Sequence, residues 1–187
     1  MTDGQGRPLV GRLLVAAPPL HDPNFFRTVI LVLDHDEHGA LGLVLNRPGE
    51  LVASDVVPRL APLLEEAAIL YVGGPVQQEG VIGLAEYRDP ATFGAEPVVG
   101  PVGVLDADLD PDDMREAISR VRAFQGYAGW GPGQLEGELG EEAWIVAPAH
   151  ASDAFDNDPG TLWRRALERL GGRYAMVARM PDDPEHN

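Results

Sequence analysis

Within six consecutive residues, Asp34-His35-Asp36-Glu37-His38-Gly39, stand two imidazoles and three carboxylates, the donor types that a divalent metal ion takes up. His35 and His38 are the metal candidates on this reading. The same residues lie between two apolar runs and close on a glycine, so they also fit a polar hairpin turn, which lacks the facing geometry a helix would give His-x-x-His. The turn is the simpler account. Asp106, Asp108 and Asp110 alternate like the opening of a calcium loop, but Pro111 stands where that loop needs glycine and Ala117 where it needs glutamate. Gly129-Trp130-Gly131-Pro132-Gly133 precedes a short helical stretch, Gln134 to Leu139, whose N–H groups could face a phosphate. It has neither G-x-G-x-x-G spacing nor the Lys-Ser/Thr ending of a P-loop.

Ser54, Ser119 and Ser152 are the only serines, and none stands in a G-x-S-x-G elbow. Glu136 and Glu138 beside Trp130 have the residue types for acid–base chemistry on a sugar, and also those of an exposed acidic face. His21 and Asp22 form an adjacent acid–base pair, but Pro23 and Asn24 after them mark a turn. Between Arg164 and Arg179 lie five arginines against the single acid Glu168, which suits a phosphate or an acidic partner, or a helix face pairing with the protein's own carboxylates.

Composition narrows the chemistry further. The 187 residues carry a net charge of -16, no cysteine and no lysine, so all 14 basic side chains are arginine. Thiolate catalysis, disulfides and cysteine metal ligands are excluded, as are lysine Schiff bases and the P-loop lysine. The acidity argues against nucleic acid and against anionic membranes. No apolar run approaches the roughly 18 residues of a membrane-spanning helix and no signal core follows the N-terminus, so a cytoplasmic protein is expected.

The elements that must position these groups read as many short ones, punctuated by 22 Gly and 17 Pro. Apolar runs predict strands at 13–17, 29–33, 42–45, 69–72, 81–86, 98–105 and 144–147, with a further candidate over Arg173 to Met180. Asp110 as N-cap and Pro111 at the first helical position start a helix whose buried face runs through Met114, Ala117, Ile118 and Val121. A second helix spans Pro159 to Leu170, and a third, over Ser54 to Ala67, is compromised by Pro58 and Pro62. This irregular order predicts an α/β chain, α+β-like in sequence, with a mixed sheet and helices packed against it. One domain over 9–180 is expected, with flexible tails at 1–8 and 181–187.

Four separated segments resemble the YqgE/AlgH family of bacterial proteins: Gly11 to Pro18 leading through Asp22 to Phe25-Phe26-Arg27-Thr28-Val29; Gly39 to Pro48; Tyr71-Val72-Gly73-Gly74-Pro75-Val76; and Gly126 to Glu136 with Trp144 beyond. They occur in family order and span residues 11 to about 148. The resemblance implies a single compact domain with a branched mixed sheet curled into a partial barrel, in a bacterial cytosolic protein. It brings no established reaction, cofactor or catalytic residue set.

If the turns of those segments converge, they form a polar pocket. Arg47 would supply an anion-binding fork, Asn46 and Gln134 orientation, Trp130 a stacking wall, and Gly73 and Gly74 exposed N–H donors. The other reading is that the glycines and prolines fix turns while Trp130 fills core. A binding or regulatory protein for a small anion or a protein partner, with no cofactor, is the leading expectation. A hydrolase using His21, His35 and His38 with nearby carboxylates is the enzymatic alternative, and nucleic-acid binding through the Arg-rich C-terminal stretch is the third.

Overall fold

The computed structural model describes residues 9–92 and 94–181. The expected tails therefore lie outside the described residues, apart from Pro181. Ten strands form one mixed sheet: β1 (Arg12–Ala16), β2 (Val29–Asp36), β3 (Gly39–Val44), β4 (Pro48–Val52), β5 (Ile69–Val72), β6 (Val76–Tyr87), β7 (Pro97–Val99), β8 (Val102–Val104), β9 (Ile118–Trp130) and β10 (Trp144–Pro148). Their spatial order is β10-β1-β2-β3-β9-β6-β8-β7, with the β4–β5 ladder branching from β9. The sheet is open and does not close into a barrel: β10 and β7 are its two ends. Every pairing is antiparallel except β5 with β9.

β1 and β2 are apolar at successive positions because both of their faces are covered. Leu13, Val15, Leu31 and Leu43 face a core completed by Leu162, Trp163, Ala166 and Leu167 of α4 (Pro159–Leu170). Their neighbours Leu14, Ala16, Ile30 and Val44 face the opposite side, where Trp130, Trp144 and Leu135 of α3 (Gln134–Gly140) cover them. A third cluster, with Met114 and Ala117 of α2 (Pro111–Ala117), packs under Leu70, Ala85 and Ala123. The Trp163 indole donates to the Ala16 carbonyl at 2.8 Å, tying α4 to β1 across almost the whole chain.

Several local expectations change in three dimensions. Asp110 caps α2 through the Asp112 amide, but the helix stops at Ala117, and Ile118 and Val121 belong to β9. Residues 98–105 make a hairpin of β7 and β8 instead of one strand, with Gly100 at positive φ in its turn. Prolines break the 54–67 helix into α1 (Ala53–Val56) and a 3-10 segment, Pro58–Leu63. The segment after Arg173 is helical, α5 (Gly172–Val177), and not a strand.

β9 is the spine of the sheet. Its first ten residues pair with β6, Phe124 and Gln125 pair on the other side with Tyr71 and Val72 of β5, and from Ala128 onward β3 takes over that side. The exchange of partners happens at Gly73-Gly74, where the Gly73 amide donates to the Gln125 carbonyl and the Gly73 carbonyl accepts from Val44. A Cβ on Gly73 would stand 2.4 Å from the Gly126 carbonyl oxygen, and one on Gly74 would stand 2.1–2.3 Å from the Tyr127–Ala128 peptide. The chains cross too closely for any side chain. Gly74→Ala should therefore destabilise the fold by about 3 kcal/mol, the upper end of overpacking costs, read as a lower urea midpoint with the slope unchanged.

Candidate functional site

The six residues expected to form a polar pocket are distributed over separate structural tasks. Asn46 lies just beyond β3 and bridges the preceding loop: its Oδ1 accepts from the Val29 amide and its Nδ2 donates to the Arg27 carbonyl, both at 2.9 Å. Arg47 donates to the carbonyls of Asn24 at 2.6 Å and Phe26 at 3.2 Å. Burial draws the Arg47 guanidinium below its ordinary pKa, and the charge of Asp22 partly offsets this. Together they hold the 22–28 loop, in which Arg27 sits at positive φ. Gly73 and Gly74 are buried at the chain crossing, with the Gly73 N–H already used.

Trp130 and Gln134 belong to a second centre built on Glu138 of α3. Both indoles, Trp130 and Trp144, donate to Glu138 Oε2 at 2.9 and 2.7 Å, and Gln134 Nε2 donates to Oε1 at 3.1 Å. The rings of the two tryptophans meet edge to face at 6.0 Å, and Phe25 meets Trp144 the same way. Trp130 is 6% exposed and Trp144 5%, so the indole N–H groups need this carboxylate. Gln134 Oε1 also accepts from the Gly131 amide, closing the glycine turn. Asn46 borders a cleft with Phe26, Trp163 and Arg164, whereas Trp130 borders a different one with His38 and Tyr127.

The histidines diverge as well. His35, with a side chain 13% exposed, accepts the Leu9 amide at Nδ1 and donates from Nε2 to Glu136 at 2.7 Å, which fixes its neutral tautomer. His38, 81% exposed, lies at the hairpin tip 3.7 Å from Glu37. His21 stacks on Phe26 in the 22–28 loop region. Among the described residues no three histidine or carboxylate side chains gather as a metal cluster. Asp106 Oδ1 and Asp110 Oδ1 accept backbone amides, of Asp108 and Asp112 respectively.

Most of the C-terminal arginines meet the protein's own acids. Arg169 forms a two-pronged bridge to Asp153 at 2.8 and 2.9 Å, Arg165 pairs with Asp156 at 2.6 Å, and Arg164 lies 3.9 Å from Glu168. Arg173 instead donates to the Tyr174 hydroxyl.

A different pair of arginines lines a cleft of about 250 Å³ between β9 and the segment joining the 3-10 turn to β5. Arg120 and Arg122 stand two residues apart on β9 and so share a face. Each guanidinium lies over a ring: Arg120 over Phe155 at 4.3 Å and Arg122 over Tyr71 at 4.4 Å. Leu63, Leu64, Ala68, Ile69, Val121 and Ala123 supply apolar lining, and Glu65 and Asn157 complete it. Arg120 is neutralised by Glu86 through Nε at 2.8 Å and Nη2 at 3.2 Å. Among the described residues Arg122 bonds only to neutral oxygens, the Asp156 carbonyl at 2.6 Å and Asn157 Oδ1 at 3.2 Å. Burial pulls its pKa below the ordinary arginine value, opposed by the Tyr71, Asp156 and Glu65 fields and assisted by repulsion from Arg120.

No motif in the sequence marks these residues. Their signal is the spacing Arg120-Val121-Arg122-Ala123, a charged and apolar alternation of period two that a strand turns into one basic and one apolar face, and both faces border the cleft because it lies at the β9 edge ahead of the β5 pairing at Phe124.

Two measurements test these assignments. Glu138→Ala leaves two buried indole donors unsatisfied and should cost about 2–3 kcal/mol, with a shift in tryptophan emission. Burial alone would raise the Asp153 carboxyl, but hydrogen bonds from Arg169 and the His150 amide outweigh it, so its folded pKa lies below the ordinary value. Its contribution to stability is thus present above an unfolded value of about 3.9 and lost as the pH falls below it. Urea unfolding followed from about pH 7 to pH 3 should show that acid loss, and Asp153→Asn should flatten it.

A family model described as AlgH-like matches residues 13–175. A UPF0301 protein of Streptomyces avermitilis is 46% identical over 184 residues, covering 96% of this chain and 95% of the relative. One from Streptomyces coelicolor is 45% identical over the same shares. Among solved structures, a Corynebacterium diphtheriae protein superimposes with a TM-score of 0.83 at 28% identity, covering 96% of this chain and 95% of the other. The solution structure of AlgH from Pseudomonas aeruginosa gives 0.69 at 29% identity, covering 97% and 98%. The fold, the sequence identities and the matched length converge on one conclusion: this chain belongs to the AlgH-like family.

Proposed function

We propose that this protein is a cytoplasmic binding protein, one domain over residues 9–180, which holds a small anion in the cleft walled by Arg120 and Arg122 and serves regulation instead of catalysis. One observation carries the reading. Arg122 is a partly buried cation whose hydrogen bonds go to neutral oxygens, and among the described residues no carboxylate lies within 4.0 Å of it, in a chain with 30 acidic side chains. A cation removed from water without a counter-ion gains from an anion far more than an exposed one does.

The cleft's side chains offer charge and apolar surface, while His21, His35 and His38 are engaged or exposed elsewhere. Its volume lies just below the roughly 300–1,000 Å³ of drug-sized sites, which suits a small ligand. Binding is the chemistry this set performs best.

Titration with sodium acetate and sodium phosphate at constant ionic strength, followed by amide NMR, should move resonances at Tyr71, Arg122 and Asn157. Arg122→Gln should weaken that binding by about 10-fold to 100-fold, the worth of one hydrogen bond to a charged group. Shifts absent from the cleft, or unchanged by the substitution, would sink the proposal.

A further inference from the structure

The chemistry of the cleft also narrows the ligand, on the footing that the cleft binds anions. We infer that its ligand is a monocarboxylate carried on a small, flat apolar body, such as a single-ring aryl acid. Three features of the lining select this class. The first is the charge available. Arg120 already has Glu86 as its counter-ion, so only Arg122 faces the cleft without one, and one uncompensated cation matches one negative charge.

The second is the repulsion around it. Glu65 lines the same cleft and acts on Arg122 electrostatically, and the molecule as a whole carries -16. A phosphate dianion brings a second negative charge into this field, and among the described residues the cleft holds no second uncompensated cation to pair with it. The third is the shape and polarity of the remaining wall. Leu64, Ile69 and Val121 add aliphatic surface beside Tyr71 and Phe155, whose ring faces are already covered by the two guanidiniums. Acetate or formate would leave that surface wet, whereas a ring covers it and leaves its carboxylate for the planar guanidinium fork. About 250 Å³ accommodates a single ring with its carboxylate.

Glu65 supplies a test that spares the fold, because it is exposed and its carboxylate makes no hydrogen bond among the described residues. The full chain is titrated with sodium benzoate, benzamide, sodium acetate and sodium phosphate at matched ionic strength, with amide NMR shifts at Tyr71, Arg122 and Asn157 as readout. Benzoate should bind most tightly, acetate and phosphate more weakly, and benzamide least. Glu65→Gln should then tighten benzoate about threefold and phosphate about tenfold, since a dianion feels the removed charge twice.

Phosphate or acetate binding more tightly than benzoate at the same resonances would overturn the ligand class while leaving anion binding intact. Benzamide matching benzoate would overturn both the class and the role of Arg122. No cleft shift with any of the four compounds would overturn the binding reading itself.

Discussion

The crossing of Gly73-Gly74 over β9 is the constraint on which the sheet depends. At that point the backbone of one segment lies against the Gly126–Tyr127 backbone of another, with no room for a Cβ on either glycine. The close approach lets Gly73 bridge Gln125 on one side and Val44 on the other, where β9 exchanges β5 for β3 along a single edge. A branched sheet is otherwise expensive, because a strand that leaves its partner exposes unpaired amides and carbonyls. Here the Gly73 N–H and C=O supply one partner to each side. Everything placed on β9, Arg120 and Arg122 included, takes its position from that junction.

The acidity of the chain acquires a structural meaning once the partners are seen. Carboxylates serve as internal anchors: Asp153 for Arg169, Asp156 for Arg165, Glu86 for Arg120 and Glu138 for two tryptophans. Glu86 joins two strands, Glu138 clamps α3 against the sheet, and Asp153 and Asp156 fasten α4 to the segment that precedes it. The Arg-rich C-terminal stretch, which by charge alone suited an acidic partner, is largely satisfied in this way. Arg122 differs because its acceptors are a carbonyl and an amide oxygen, so its charge is held but not cancelled. Two aromatic rings beneath neighbouring guanidiniums make that wall rigid as well as basic.

The family motifs turn out to be mostly architectural at the level of side-chain contacts. Asn46 and Arg47 spend their donors on the 22–28 loop, and Trp130 and Gln134 spend theirs on the Glu138 centre. Distinctive residue types at turns were legible as a constellation, but that constellation reads as a set of joints. The candidate cleft lies elsewhere, on a strand whose helix-like apolar spacing and interrupting glycines concealed it: Ile118 and Val121 fit the face of α2 as well as they fit β9.

By itself the sequence determined what depends on neighbours along the chain. The apolar runs of β1, β2 and β10, the Asp110 cap with Pro111, the helix over Pro159–Leu170 and the family membership all rest on local side-chain preference and spacing. Tertiary structure alone decided where α2 yields to β9, which strands share β9, and which arginines meet a carboxylate. Those outcomes depend on register and distance between segments tens of residues apart. Strand pairing and charge neutralisation are settled by what lies across the sheet, and residues adjacent in sequence carry no record of it.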